Sequence, residues 1–233
     1  MSSPQLVLDF EHRPALESED FLVTPCNQEA VAWIDEWPHW SSPAFVIHGP
    51  SGCGKSHLAQ VFLARTSGVR ISPLQLLEKD SPALLGGAAA CLLDDMDVAF
   101  APGNKGALEE ALLHLYNTLK EQGSTMMITA KSPPSRWGVS LADLSSRLKT
   151  ATLAEISAPD DVLLAAVLVK QFSDRQLRID RDVVAFVQTR IERSFRALGQ
   201  LVAAADKLAL AEKRRITIPL MRRVLEELDE PNE

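Results

Sequence analysis

Apolar residues along this chain change their spacing once, near residue 158. Before that point, short dense apolar runs alternate with stretches of three-to-four spacing. The runs at 44–48, 69–71, 89–94 and 125–129 predict strands, and 56–66, 73–79 and 107–121 predict helices. An earlier helix is expected from Asn27, as its capping residue, through Val31, Trp33, Ile34 and Trp37 to the break at Pro38. Strands alternating with helices imply an α/β fold built on a parallel sheet with helices on both faces. From Pro159 onward the strand signal ends and four helical faces follow. They are Val162-Leu163-Ala166-Val167-Val169, then Val183-Val184-Phe186-Val187-Ile191 behind Asp180, then Phe195-Leu198-Leu201-Val202-Ala205-Leu208 behind Ser194, and Leu220-Met221-Val224-Leu225-Leu228 after Pro219. The organisation expected is a charged, flexible arm over 1–20, an α/β domain over 21–157, a small all-helical domain over 158–228, and an acidic tail over 229–233.

One motif interrupts this pattern and carries chemistry. Gly49-Pro50-Ser51-Gly52-Cys53-Gly54-Lys55-Ser56 fits G-x-x-x-x-G-K-[ST] at every fixed position, between the apolar run Ala44-Phe45-Val46-Ile47 and the helical stretch from Leu58 to Ala64. In that setting the glycines let backbone N–H groups turn inward around phosphate oxygens, and the helix end adds partial positive charge. Lys55 is expected to reach the β- and γ-phosphates and the Ser56 hydroxyl to ligate Mg²⁺. Gly49, Ser51, Gly52, Cys53, Gly54 and His57 complete the expected nucleotide-binding stretch, for ADP or ATP. Cys53 inside the loop reads as a small filler, with oxidation-sensitive binding as the alternative.

A second polar cluster ends the next buried strand: Cys91-Leu92-Leu93-Asp94-Asp95. A carboxylate at a strand's C-terminal tip can hold Mg²⁺ through water beside the loop serine, which suits Asp94. Asp95 would then face the γ-phosphate and polarise an attacking water. Two acids after a strand also suit a simple cap of the next turn. Met126-Met127-Ile128-Thr129-Ala130-Lys131 is another strand ending in polar residues. Two arginines, Arg147 and Arg196, sit in short helical segments downstream, where solvated surface is the plainer reading.

Composition narrows the class without naming it. With 233 residues and 46% hydrophobic content, the chain can bury one good core and a smaller second one. No apolar run approaches the roughly 18–20 residues a bilayer span requires. The N-terminus MSSPQLVLDFEH lacks the basic and apolar regions of a secretory signal, so a cytoplasmic location is expected. Cys26, Cys53 and Cys91 are odd in number and far apart, which argues against a disulfide framework or a zinc site. Residues 1–157 carry 11 basic and 18 acidic side chains, and residues 158–228 carry 13 and 10. So slight a basic excess does not suit a dedicated DNA-reading domain. Trp33, Trp37 and Trp40 read as anchors pinning the first helix to the sheet.

Taken in order, these residues resemble the AAA+ ATPases, in the branch headed by the bacterial replication initiator DnaA. Phe21-Leu22-Val23 with Asn27 and Ala30 is similar to the adenine-side box. GPSGCGKS and LLDD are the two nucleotide motifs. Leu144-Ser145-Ser146-Arg147-Leu148 is similar to the arginine-finger box, and Ser194-Phe195-Arg196-Ala197-Leu198 to the lid helix that carries the second sensor. The resemblance covers about residues 20–228. Unlike the initiator, the chain shows no helix-turn-helix pattern after the lid, so direct sequence-specific DNA binding is not expected. In the arm, Gln5-Leu6-Val7-Leu8-Asp9-Phe10 is similar to peptides that dock on the bacterial sliding clamp, with Gln5, Leu6, Leu8 and Phe10 as the contacts; an amphipathic stub is the plain alternative. The combination resembles the Hda family of DnaA regulators.

The resemblance implies a regulator that, on the clamp, stimulates hydrolysis of DnaA-bound ATP. Arg147 would be supplied in trans as the finger, with a homodimer possible. Phe21, Val23, Asn27 and Arg196 would contact the chain's own nucleotide, whose identity would set the lid. Where initiator-family chains place an acidic first sensor, this one has Lys131, which implies weak intrinsic ATPase at most, with Thr129 as a substitute. A helicase loader shares this core but would need a helicase-binding extension. A P-loop kinase would leave Arg147, the helical lid and the arm unexplained.

Overall fold

The computed structural model describes residues 22–100 and 105–229. They form two compact units that divide between Ser157 and Ala158. In the first unit, α1 (Gln28–Asp35) leads into β1 (Ala44–His48), α2 (Lys55–Thr66), β2 (Val69–Ile71), α3 (Pro73–Glu78), α4 (Ser81–Leu85) and β3 (Ala90–Leu93). It continues through α5 (Met96–Ala99), α6 (Lys105–Gln122), β4 (Thr125–Ala130), α7 (Ala142–Lys149) and β5 (Thr152–Glu155). All five strands are parallel, in the order β2-β3-β4-β1-β5.

Alternation along the inner strands explains why both sheet faces are covered. Ala44 and Val46 of β1, Cys91 and Leu93 of β3, and Met126 and Ile128 of β4 enter one core with Leu108, Leu112, Leu115 and Leu119 of α6. Their neighbours Phe45, Ile47, Leu92 and Met127 face the other way, into a core shared with α1 and α2. The tryptophans anchor that second side. Trp40 stacks on Phe62 at 5.5 Å and donates its ring N–H to Trp33 O at 2.7 Å, and Trp37 donates to Thr125 Oγ1 at 3.0 Å.

Several expectations change. β5 has no counterpart among the predicted strands: it is a four-residue edge element in which only Ala154 is buried. α1 ends at Asp35, short of Pro38. Asn27 stands at its N-cap position but makes no capping bond, because its amide is spent on the turn before it. Asn27 Oδ1 accepts the Thr24 N–H at 2.9 Å and Nδ2 donates to Leu22 O at 3.0 Å.

The second unit consists of α8 (Asp161–Asp174), α9 (Arg181–Gln188), α10 (Phe195–Glu212) and α11 (Ile218–Asp229) around one core. Leu164, Leu168, Phe172, Val184, Val187, Leu201, Val202, Met221 and Val224 are buried in it. Asp160 and Ser194 cap α8 and α10 by accepting the Leu163 and Ala197 N–H groups, at 2.8 and 3.1 Å. Asp180 makes no such bond at α9, and Val162 points to solvent rather than inward.

Candidate functional site

The register of the sheet gathers the polar motifs at one edge. Leu93 is level with Ile128, and Ile128 with Val46. One residue further on, Asp94, Thr129 and Ile47 therefore share a row, and the loop beginning at Gly49 leaves β1 just beyond it. The C-terminal edge of a parallel sheet is where open α/β folds place ligands.

The loop itself is tightly determined. A Cβ at Gly49 would lie 2.0 Å from the Ile156 carbonyl oxygen, so only glycine lets the loop leave β1 this close to the chain beyond β5. Gly54, at φ 105°, turns the chain into α2, whose bonds begin with the His57 and Leu58 N–H groups to Gly54 O. The helix's first N–H groups are thus left facing the loop. Cys53 is buried beneath in the α1–α2 core, and burial raises its thiol pKa against the pull of Lys55, so the filler reading describes its packing. Lys55 is only 6% exposed, and its ammonium donates to Gly49 O and Pro50 O, both at 2.8 Å. It is folded over the loop's own carbonyls. Ser51, Ser56 and His57 are exposed along the loop and the first turn of α2.

At the end of β3 the polar groups are bonded to one another. Buried Thr129 donates its hydroxyl to Asp94 Oδ1 and accepts the Asp95 N–H at 3.0 Å. With both bonds made, Thr129 organises the strand tips, its hydroxyl proton committed to Asp94 and one acceptor lone pair left over. The other Asp94 oxygen, Oδ2, accepts from Arg70 Nη1 at 2.7 Å. Asp95 is exposed in the left-handed region, at φ 51°, and opens α5. Lys131 is exposed, and its backbone N–H is held by Asp97 Oδ2 at 2.9 Å. The other oxygen of Asp97 is buried and accepts no hydrogen bond.

A second region forms around α7. Glu109 of α6 is buried, and its carboxylate accepts the Ser140 and Leu141 N–H groups at 2.9 and 2.7 Å. Lys105, one turn earlier, approaches Glu109 Oε1 at 3.9 Å and donates to Gly138 O. The segment entering α7 is therefore fastened to α6. Leu144 and Leu148 bury the inner face of α7, and Arg147 lies exposed on the outer face, its guanidinium 5.9 Å from the Tyr116 ring centroid.

Val23 is half-buried against the α1–α2 core, and Asn27 has the turn role given above. Arg196 is exposed on the first turn of α10, in the other unit. Phe21 and the arm residues Gln5, Leu6, Leu8 and Phe10 lie outside the described residues. Sequence reasoning did not single out Arg70, Glu109 or Tyr116. Glu109 left a trace: it stands in the inward stripe of α6, beside Leu108 and one turn before Leu112, where a lone acid needs internal partners.

The cradle fits a nucleoside phosphate, on the evidence of Gly49's close approach and the open N-terminal turn of α2. Magnesium fits less readily. Among the described residues no group of three or more His, Cys, Asp or Glu is arranged to hold a metal. A divalent ion would have to rest on Ser56, phosphate oxygens and water, with Asp94 already paired to Arg70. No helix among the described residues is long and apolar enough to cross a membrane.

Residues 161–225 match the family described as Hda, lid domain. An uncharacterized protein of Haemophilus influenzae is 28% identical over 188 residues, 78% of this chain and 81% of its own length. Among solved structures, domain III of the Thermotoga maritima replication initiation protein DnaA superposes with a TM-score of 0.77 at 19% identity, over 94% of this chain and 99% of that one. AMPPCP-bound DnaA from Aquifex aeolicus gives 0.69 at 18% identity, over 93% of this chain and 70% of its own. The chain thus shares the α/β fold of DnaA domain III, and its helical unit over residues 161–225 matches an Hda-type lid.

Proposed function

We propose that this protein is a nucleotide-binding AAA+ regulator of replication initiation that lends Arg147 to ATP held by a DnaA-type partner. The observation that carries the reading is the mounting of Arg147: an exposed guanidinium on a helix fastened at its start to α6 by Glu109, and backed by Tyr116. A charge donated across an interface must be free of ion pairs yet fixed in place, because preorganisation is what makes it effective. In phosphoryl transfer such a finger contributes roughly 10³–10⁵ in rate by neutralising charge on the transferred group.

Within its own site, Lys55 leaves the Gly49 and Pro50 carbonyls for the phosphate, the α2 N-terminus supplies N–H donors, and Asp95 stands exposed at the tip of β3. A bound ADP or ATP would supply the polyanion these groups surround. The buried bonds of Thr129 and the cation at Lys131 favour retention of nucleotide over its turnover. The Gln5–Phe10 segment would tether the protein to the sliding clamp, raising its local concentration near replicated DNA without any new contact to the initiator.

The test is ATP turnover by the initiator in the presence of clamp-loaded DNA. Arg147→Ala should return turnover to the unstimulated rate. A variant as active as wild type removes the finger assignment. A helicase loader would instead be retained by the replicative helicase and ignore the clamp, which parallel pull-downs separate.

A further inference from the structure

Arg70 occupies the centre of the three-residue edge strand β2, where an exposed cation is ordinary, but its head has a specific destination. Its register partner on β3 is Leu92, and Leu92 and Asp94 project from the same face of that strand. Arg70 therefore starts on the face of Asp94, two residues behind it. The gap along the strand is about 6–7 Å, within reach of an arginine side chain. The guanidinium closes it, with Nη1 at 2.7 Å from Oδ2.

The pairing matters because Asp94 has no idle oxygen. Oδ1 accepts the Thr129 hydroxyl and Oδ2 accepts Arg70. Mg²⁺ keeps most of its waters and is held through carboxylates whose negative charge is available to it. Here that charge already faces a cation held by the fold, so a divalent ion at the same carboxylate would meet like-charge repulsion and would be left with only the remaining lone pairs. The pair is also reversible. Arg70 is 41% exposed and Asp94 23%, so water can solvate either group when they separate.

We propose that Arg70 is a resident counter-cation for Asp94, so that the protein retains a nucleoside diphosphate with little dependence on Mg²⁺, and the metal competes with Arg70 for the carboxylate. The inference rests on the phosphate-loop reading and deepens it. It assigns the site a preference for nucleotide without metal over a metal–triphosphate complex. A site of that kind suits a ligand kept for its shape rather than consumed.

The experiment is calorimetric titration of the full chain with ADP, in EDTA and again at saturating Mg²⁺, for wild type and Arg70→Gln. Wild-type affinity should differ by less than about twofold between the two buffers, while Arg70→Gln should tighten in Mg²⁺ by roughly three- to fivefold, the size of one partly exposed ion pair. Equal Mg²⁺ responses in the two proteins overturn the proposal and leave the nucleotide site standing. A wild type that binds no ADP in either buffer removes both. Should Arg70→Gln fail to fold, Asp94→Asn decides: a Mg²⁺ response as small as wild type's supports competition by Arg70. Loss of a large wild-type response shows that Asp94 was holding the metal all along.

Discussion

Two regions of the α/β unit hold their cations in opposite ways. At the phosphate loop, Lys55 and Arg70 are both committed, the first to loop carbonyls and the second to a carboxylate. On α7, Arg147 rests on an aromatic ring and faces solvent, and the bonds that fix its position belong to the backbone beneath it. On the function proposed above, the contrast separates a cation kept for the chain's own ligand from one offered to another molecule. The first kind finds internal partners that a ligand must replace. The second kind is positioned through its helix, which leaves the charge uncompensated.

Substitutions that damage one region and spare the other sharpen this contrast. Gly49→Ala should have the largest effect, since a methyl 2.0 Å from the Ile156 carbonyl forces the backbone to move. A loss of about 3 kcal/mol of stability is expected, in the upper part of the range for single substitutions, together with loss of ADP binding. Urea unfolding and ADP titration read both quantities. Glu109→Ala comes next. It strands two backbone N–H groups and should cost about 2 kcal/mol. It should also lower the stimulation of partner ATP turnover while ADP affinity holds. Glu109→Gln keeps one acceptor and should recover part of each. Equal loss of ADP binding in the Glu109 variants would mean the two regions are not separable.

The smallest effect expected concerns His48, at the end of β1. Burial lowers its pKa below 6.5, outweighing the attraction of Glu155, while Arg136 and Lys55 push the same way as burial. The unfolded chain therefore binds the proton more readily. Stability should decline as pH falls from 6.5 through the folded pKa, with no contribution from this group above 6.5. His48→Gln should flatten that slope in thermal melts recorded between pH 7 and pH 5, leaving the neutral-pH value nearly unchanged; an identical slope would show that other groups set it.

What the sequence disclosed follows from how each element is stabilised. β1, β3 and β4 are buried on both faces, so they read as continuous apolar runs, and the helices of the second unit carry inward stripes that period alone reveals. β5 escaped because an edge strand with one buried residue leaves almost no pattern: Leu153 is exposed and Glu155 sits where a longer apolar run would continue. The loop was legible because its geometry demands particular residues at fixed spacing. Arg70 and Glu109 were not, because their partners lie 24 and about 31 residues away in sequence, and only the register of the sheet and the packing of α6 bring them together. Asn27 misled for a related reason. An amide before a helix suits a cap, but here the preceding turn competes for it and wins.

The distribution of aromatic chromophores has a practical outcome. Trp33, Trp37, Trp40 and Trp137, with Tyr116, all fall before Ser157, so the helical unit has no intrinsic fluorophore beyond phenylalanine. Tryptophan emission during denaturation therefore reports the sheet-bearing unit alone, whereas far-ultraviolet circular dichroism draws on the helices of both units. Comparing the two signals on one unlabelled sample measures directly whether the units melt together or apart.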